Sequence, residues 1–387
     1  MHARDVPPVP AGSRVLQIGP FKTGTTAIQH AASSRRTELA AHGVVYPGTG
    51  LNHRWGCSAL VGFTWGWTRA EAEAAAPKHG RTLLEEISRA PKDARIWLSY
   101  ERLAVLEEDR ARALCDLIGG PLHVVIGLRP LRSLLPSEWQ QLIKSGRRPG
   151  ELEEWAQHCL TAVDDGRARA RHLDHAGLVE RWAGIVGADS VTCIAVDPQT
   201  PDALPRATEA LFGLPEGLLA PPATGVQRNR ALTAAELALV AAVARELRDR
   251  GLTREDYLEL VGRGVIPQLL ARHPDPTEAR VRLGEGAAAR AHELDQRSAE
   301  RVRRAGVRVI GDLDRYAGTT TDGRPRSTPE PIDVPDLVPV DIAAAAVLGV
   351  AEQLQAARSR SVAATAMRSV RGSLRRRVRR RAATAHG

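Results

Sequence analysis

The sequence predicts an α/β fold: three layers around a central, mostly parallel sheet, with a helical extension at the C-terminus. Three observations carry this expectation. Short β-type runs alternate with amphipathic stretches of helix length through the first half of the chain. A glycine-bearing turn joins the first of these runs directly to a helical pattern. A proline-rich span then separates this body from an end that is first Ala-rich and then Arg-rich.

Taken in order, the strand runs are 14–19, 95–99, 122–128 and 191–196. Helix candidates follow at 233–250 and 282–305, and a last strand-like run lies at 307–310. Thr233 with Glu236 three residues on reads as a capping box, in which each side chain takes the other residue's backbone N–H. The implied organisation is a leader over 1–12, one catalytic-sized domain over 13–316, a linker over 317–339 with five prolines, and a helical tail over 340–387.

The 387 residues are 43% hydrophobic and 26% charged, which excludes a wholly disordered chain. No apolar run reaches the eighteen residues or so of a membrane span, and residues 1–10 show no apolar signal segment. Cys57, Cys115, Cys159 and Cys193 lie too far apart for a zinc motif or a disulfide scaffold, so a cytoplasmic location is expected. The net charge of +9 is concentrated at one end: ten arginines and no acid follow Glu352. A specific nucleic-acid partner is therefore not expected.

The most informative segment is 14–30, Arg-Val-Leu-Gln-Ile-Gly-Pro-Phe-Lys-Thr-Gly-Thr-Thr-Ala-Ile-Gln-His. Strand, turn and helix start near Thr25 would leave backbone N–H groups and the positive helix end free to hold an anion such as phosphate. Gly19 and Gly24 have the spacing of a nucleotide-binding P-loop, but Thr25 stands where such a loop places Lys. The nearby lysine is Lys22, inside the turn, in a chain with four lysines and fifty arginines. No strand ends in an obvious Asp for Mg²⁺, so transfer of a weakly charged group suits the loop better than phosphoryl transfer. The fold expected is accordingly P-loop-like.

Gly-Pro-Phe-Lys-Thr-Gly-Thr-Thr resembles the phosphosulfate loop of sulfotransferases that use 3′-phosphoadenosine 5′-phosphosulfate (PAPS), and is similar in particular to the sulfotransferase domain of heparan sulfate N-deacetylase/N-sulfotransferases. The resemblance implies that Lys22 stabilises the bridging oxygen of the leaving phosphate, while Thr23, Gly24, Thr25 and Thr26 cradle the 5′-phosphosulfate. It also assigns Arg129, at the end of the 122–128 strand, and Ser137, eight residues on, to the 3′-phosphate. Ser133 reads as the N-cap of the intervening helix, with Pro136 in its first turn. A basic loop at 225–231 stands where the family covers the nucleotide, but lacks its Arg-Lys-Gly pattern. Arg228 and Arg230 are nucleotide-binding candidates there, with a solvated loop as the alternative.

Sulfuryl transfer requires a group to take the acceptor's proton, and two candidates stand open: His53 and Glu101, the latter at a strand end. Seven of the fourteen aromatics (Tyr46, Trp55, Phe63, Trp65, Trp67, Trp97 and Tyr100) fall between 46 and 100, serving either the core or an acceptor. The function expected is transfer from PAPS to a hydroxyl or amine of a carbohydrate, glycolipid or other small acceptor, with no metal. The alternatives are a small-molecule kinase and a non-catalytic nucleotide-binding or membrane-surface protein. In the tail, Met367, Val370, Leu374 and Val378 recur among arginines, a pattern suited to peripheral contact with an anionic inner membrane surface or to a solvated end.

Overall fold

The structure, a computed structural model, describes residues 6–62, 77–196, 200, 202–220, 230–318 and 338–355. Phe63, Trp65, Trp67, Arg228, most of the expected linker and the tail beyond residue 355 lie outside these. The chain divides into two compact units, the first Met1–Glu138, Gly150–Val226 and Arg282–Pro331, the second Trp139–Pro149, Gln227–Val281 and Ile332–Gly387. Residues 139–149 and 227–281 of the expected 13–316 domain thus fall in the second unit, together with the chain from Ile332 on.

The first unit is built on a six-stranded sheet. Its strands are β1 (Arg14–Ile18), β2 (Val44–Val45), β3 (Arg95–Ser99), β4 (Leu122–Leu128), β5 (Val191–Ala195) and β6 (Arg308–Ile310), in the order β2-β3-β1-β4-β5-β6. Every neighbouring pair is parallel. The three-layer α/β expectation holds, and the strand runs fall where the sequence puts them, except that the two-residue β2 has no run long enough to signal a strand.

Alternation along each strand divides the core. Leu16, Ile18, Leu98, Val124, Ile126 and Leu128 pack on one face with Trp182 and Leu114, whereas Val15, Trp97, Val125 and Ile194 pack on the other with Ile28, Leu204 and Phe212. Val6 and Val9 belong to the second cluster, and the Val9 N–H donates to the Leu211 carbonyl at 2.8 Å. The described part of the expected leader is therefore packed on the sheet, held by two apolar side chains and a backbone bond.

The helix after β4 corrects the sequence reading. It spans Leu131–Lys144 and contains Pro136 in its interior, so Ser133 is not its cap. The Pro130 carbonyl already accepts from Leu134 N–H at 2.9 Å, which starts the helix two residues before Ser133. The Leu131 N–H is satisfied instead by the Asp295 carboxylate at 2.9 Å, from the Glu285–Arg304 helix.

In the second unit the capping box forms as expected on the helix Ala234–Asp249: Thr233 Oγ1 accepts from Glu236 N–H at 3.2 Å and Glu236 Oε2 accepts from Thr233 N–H at 2.9 Å. Glu236 is fully buried, and its charge is matched by Arg230 and Arg272. A π-helical stretch, Leu258–Val265, leads into the helix Ile266–Ala271. A further helix covers 340–355. It seats Ile342 and Ala346 inward and brings Gly349 so close to the Gly264 carbonyl that a Cβ would not fit.

Candidate functional site

The site follows from where β1 stops. β1 lies between β3 and β4, and the chain leaves β1 toward one side of the sheet and β3 toward the other, the crossing point at which parallel sheets bind ligands beyond their C-terminal ends. The turn after Ile18 passes close to β4: a Cβ on Gly19 would lie 3.1 Å from Gly127 N, and one on Gly127 would lie 3.3 Å from the Thr23 side chain. Both glycines serve close backbone approach. Lys22 adopts φ 65°, the only non-glycine residue with positive φ among those described, and Gly24 at φ 91° opens the helix Thr25–Ser34. An L residue takes that conformation at a cost of about 1 kcal/mol or more, and such strain clusters at functional turns.

No side chain caps this helix. The buried Thr23 hydroxyl donates to the Pro20 carbonyl at 3.2 Å and the buried Thr25 hydroxyl donates to Glu101 Oε1, so both are spent inside the protein. Among the described residues no group accepts from the Thr25 or Thr26 N–H, and the Thr26 side chain is exposed. The donors left at the turn are thus backbone N–H groups and one hydroxyl, which is the composition of an anion cradle.

Arg129 reaches this turn directly. Its Nη1 donates to the Lys22 carbonyl at 2.5 Å and its Nε donates to Ser133 Oγ at 3.1 Å. Burial pulls the guanidinium's pKa down, and the Glu138 carboxylate opposes that shift. Ser137 is half-buried one helical turn beyond Ser133, so the two hydroxyls share a face of the helix. Arg129 and Lys22 are brought together; Ser137 extends the row that Ser133 starts.

The two proton-acceptor candidates separate on their bonding. His53 is 5% exposed; its Nδ1 accepts the Ser99 N–H at 2.9 Å and its Nε2 donates to the Pro47 carbonyl at 3.1 Å. That pattern fixes the tautomer and leaves no ring nitrogen for a substrate proton. Burial lowers its pKa to about 4. Both ring nitrogens of His53 are thus engaged within the protein. Glu101 opens the short 3-10 turn Glu101–Val105 straight after β3. Its Oε1 accepts from Thr25 and, at 3.1 Å, from Gln29 Nε2, while Oε2 has no partner among the described residues. Gln29 also donates to Ser99 Oγ at 3.0 Å and accepts from Asn52 Nδ2 at 3.3 Å.

Arg230 is engaged with its neighbours. Its guanidinium makes two 2.7 Å bonds to Glu236 and a 3.0 Å bond to the Ala231 carbonyl, so it neutralises a buried carboxylate. Tyr46 and Trp97 are buried and stack edge-on at 5.2 Å, which makes them core. Trp55 is half-buried beneath the Arg54 guanidinium at 4.0 Å.

Four residues near the loop carried no sequence signal that singled them out. The Phe21 ring lies 5.3 Å from His172 and 5.2 Å from the Arg102 guanidinium. His172 Nε2 sits 3.3 Å from Glu138 Oε2, and Glu138 Oε1 is buried with no hydrogen-bond partner. Gln29 was legible only as a helix position, at i+4 from Thr25, and Ser133 only as a cap. Among the described residues no cluster of three or more His, Cys, Asp or Glu could hold a metal ion.

These features define a parallel α/β protein with an uncapped helix start beyond the central strand of its sheet. No family model matches the chain. No curated protein matches it either. Among solved structures, the sulfotransferase from Alicyclobacillus acidocaldarius is similar to it at 14% identity and a TM-score of 0.37, over 63% of this chain and 97% of that one.

Proposed function

We propose that this protein is a sulfotransferase that moves a sulfuryl group from PAPS to a hydroxyl or amine of an acceptor. The observation that carries the reading is the turn itself: an uncapped helix start preceded by Lys22 at positive φ, tied through its carbonyl to Arg129. Its free N–H groups fit a phosphate-type anion, and its lysine lies inside the turn, where a Walker loop has none.

In this reading the Thr25 and Thr26 N–H groups and the Thr26 hydroxyl hold the 5′-phosphosulfate. Lys22 neutralises charge that develops on the bridging oxygen as the S–O bond breaks. Thr23 and Thr25 act through the turn's shape, their hydroxyls being already bonded. Arg129 and Ser137 bind the 3′-phosphate, with Ser133 holding the guanidinium in place. Glu101 takes the acceptor's proton on Oε2 as the new S–O or S–N bond forms, while Thr25 and Gln29 fix its other oxygen. The buried, unpartnered Oε1 of Glu138 offers a further hydrogen-bond acceptor beside the loop.

Incubation of the full chain with radiolabelled PAPS and a panel of sugars, glycolipids, amines and phenols tests the reading. Label should pass to at least one acceptor class in the presence of EDTA. Transfer from ATP that strictly requires Mg²⁺, with none from PAPS, would replace it with the kinase alternative.

A further inference from the structure

We propose that the helix over 340–355 docks on an anionic lipid bilayer through an exposed apolar stripe formed by Val340, Ala344, Val347, Leu348, Ala351 and Leu354. The spacing of four, three, four and three residues through 340, 344, 347, 351 and 354 keeps these side chains on one side of a helix. Of the five exposed large hydrophobic residues among those described, four are here: Val340 at 84%, Val347 at 70%, Leu348 at 52% and Leu354 at 50% exposure. A contiguous apolar surface of this kind marks an interaction site.

The stripe is not the face by which the helix folds. That face is already used: Ile342 and Ala346 are buried, and Gly349 meets Gly264. The two carboxylates of the helix are also engaged within the unit. Asp341 accepts from Arg272 Nη2 at 2.6 Å and Glu352 accepts from Gln268 Nε2 at 2.6 Å.

Charge complementarity selects the occupant. The chain runs from this helix straight into ten arginines with no acid beyond Glu352. A nucleic acid would answer the arginines and leave the stripe in water, and an apolar helix from a protein would answer the stripe and leave the arginines unmatched. An anionic bilayer satisfies both, with apolar side chains at the acyl boundary and guanidinium groups at the lipid phosphates. Among the described residues no helix is long and apolar enough to cross a membrane, so the contact is peripheral.

Sedimentation of the full chain with phosphatidylglycerol–phosphatidylcholine vesicles tests this, with phosphatidylcholine alone as control. Salt-sensitive binding to the anionic vesicles is expected, and the exposed-site variant V347N/L348N/L354N should bind about tenfold or more weakly. An unchanged melting curve for the variant establishes that its fold is intact. Equal binding by variant and wild type would overturn the role of the stripe. Absence of vesicle binding together with a wild-type dimer that the variant dissociates, read by light scattering, would make it an interface between two copies. No sulfuryl-transfer readout enters, so the result stands apart from the enzymatic reading.

Discussion

At the scale of single residues, the two carboxyl and imidazole candidates differ in what remains unbonded. Glu101→Gln keeps the bonds from Thr25 and Gln29 within reach but removes the proton acceptor, so it should abolish the acidic limb of the kcat profile. His53→Ala should keep that limb and lower stability by about 1–3 kcal/mol, because it orphans the buried Ser99 N–H and Pro47 carbonyl. A His53 variant that lost the limb while melting normally would reverse this assignment. Lys22→Ala should cost about 10²-fold or more in turnover, since its charge acts on the leaving oxygen. Removing the side chain costs the fold little where the backbone stays at φ 65°, and Lys22→Gly should melt at or above wild type. Near-normal turnover in either folded variant would remove the lysine from the mechanism.

At the scale of elements, the turn and the strand beside it stand or fall together. Gly19→Ala places a Cβ 3.1 Å from Gly127 N and 3.2 Å from its carbonyl, and neither backbone can yield cheaply. Calorimetry should show markedly weaker binding of 3′-phosphoadenosine 5′-phosphate by this variant. Arg129→Ala and Ser137→Ala should weaken that nucleotide more than adenosine 5′-phosphate, with Ser133→Ala resembling a mild Arg129 variant; equal losses for both nucleotides would exclude a 3′-phosphate role. The sequence showed this architecture because strand, turn and helix signals are local. Lys22 stands out by rarity and position, and the Thr233 capping box by its spacing. What it hid depends on residues far apart in the chain. Ser133 reads as a cap until Asp295 is seen to take the Leu131 N–H. Arg230 reads as a ligand-binding arginine until Glu236 is seen buried against it, and nothing near His53 in sequence announces that Ser99 will occupy its ring.

At the scale of the whole molecule, buried titratable groups set an acid limit. Burial holds His53 and His123 near a pKa of about 4 and His175 near about 3. The folded state therefore binds fewer protons than the unfolded chain, and the stability is fully present above the ordinary histidine value of 6.5. It is lost as pH falls through about 4, by up to a few kcal/mol per histidine. Asp295 works in the other direction: burial raises its pKa to about 8, so its contribution is fully present below the ordinary value of 3.8 and is lost as pH rises through about 8. Asp295→Asn keeps an oxygen for the Leu131 N–H and should remove the fall in melting temperature that Asp295 causes between its ordinary pKa of 3.8 and about 8, while leaving the slope above 8 unchanged. A profile unaltered between pH 4 and 8 would show that Asp295 stays ionised throughout. The order of the sheet also bears on biogenesis. Arg14 must wait for Ile96 and Leu122 before β1 has both neighbours, and Thr192 waits for Arg308, which is synthesised only after residues 227–281 of the second unit. A ribosome releasing this chain thus completes the pairing of β1 early but leaves one edge of β5 open while residues 196–307 are made, and vectorial folding would expose that edge until the last strand emerges.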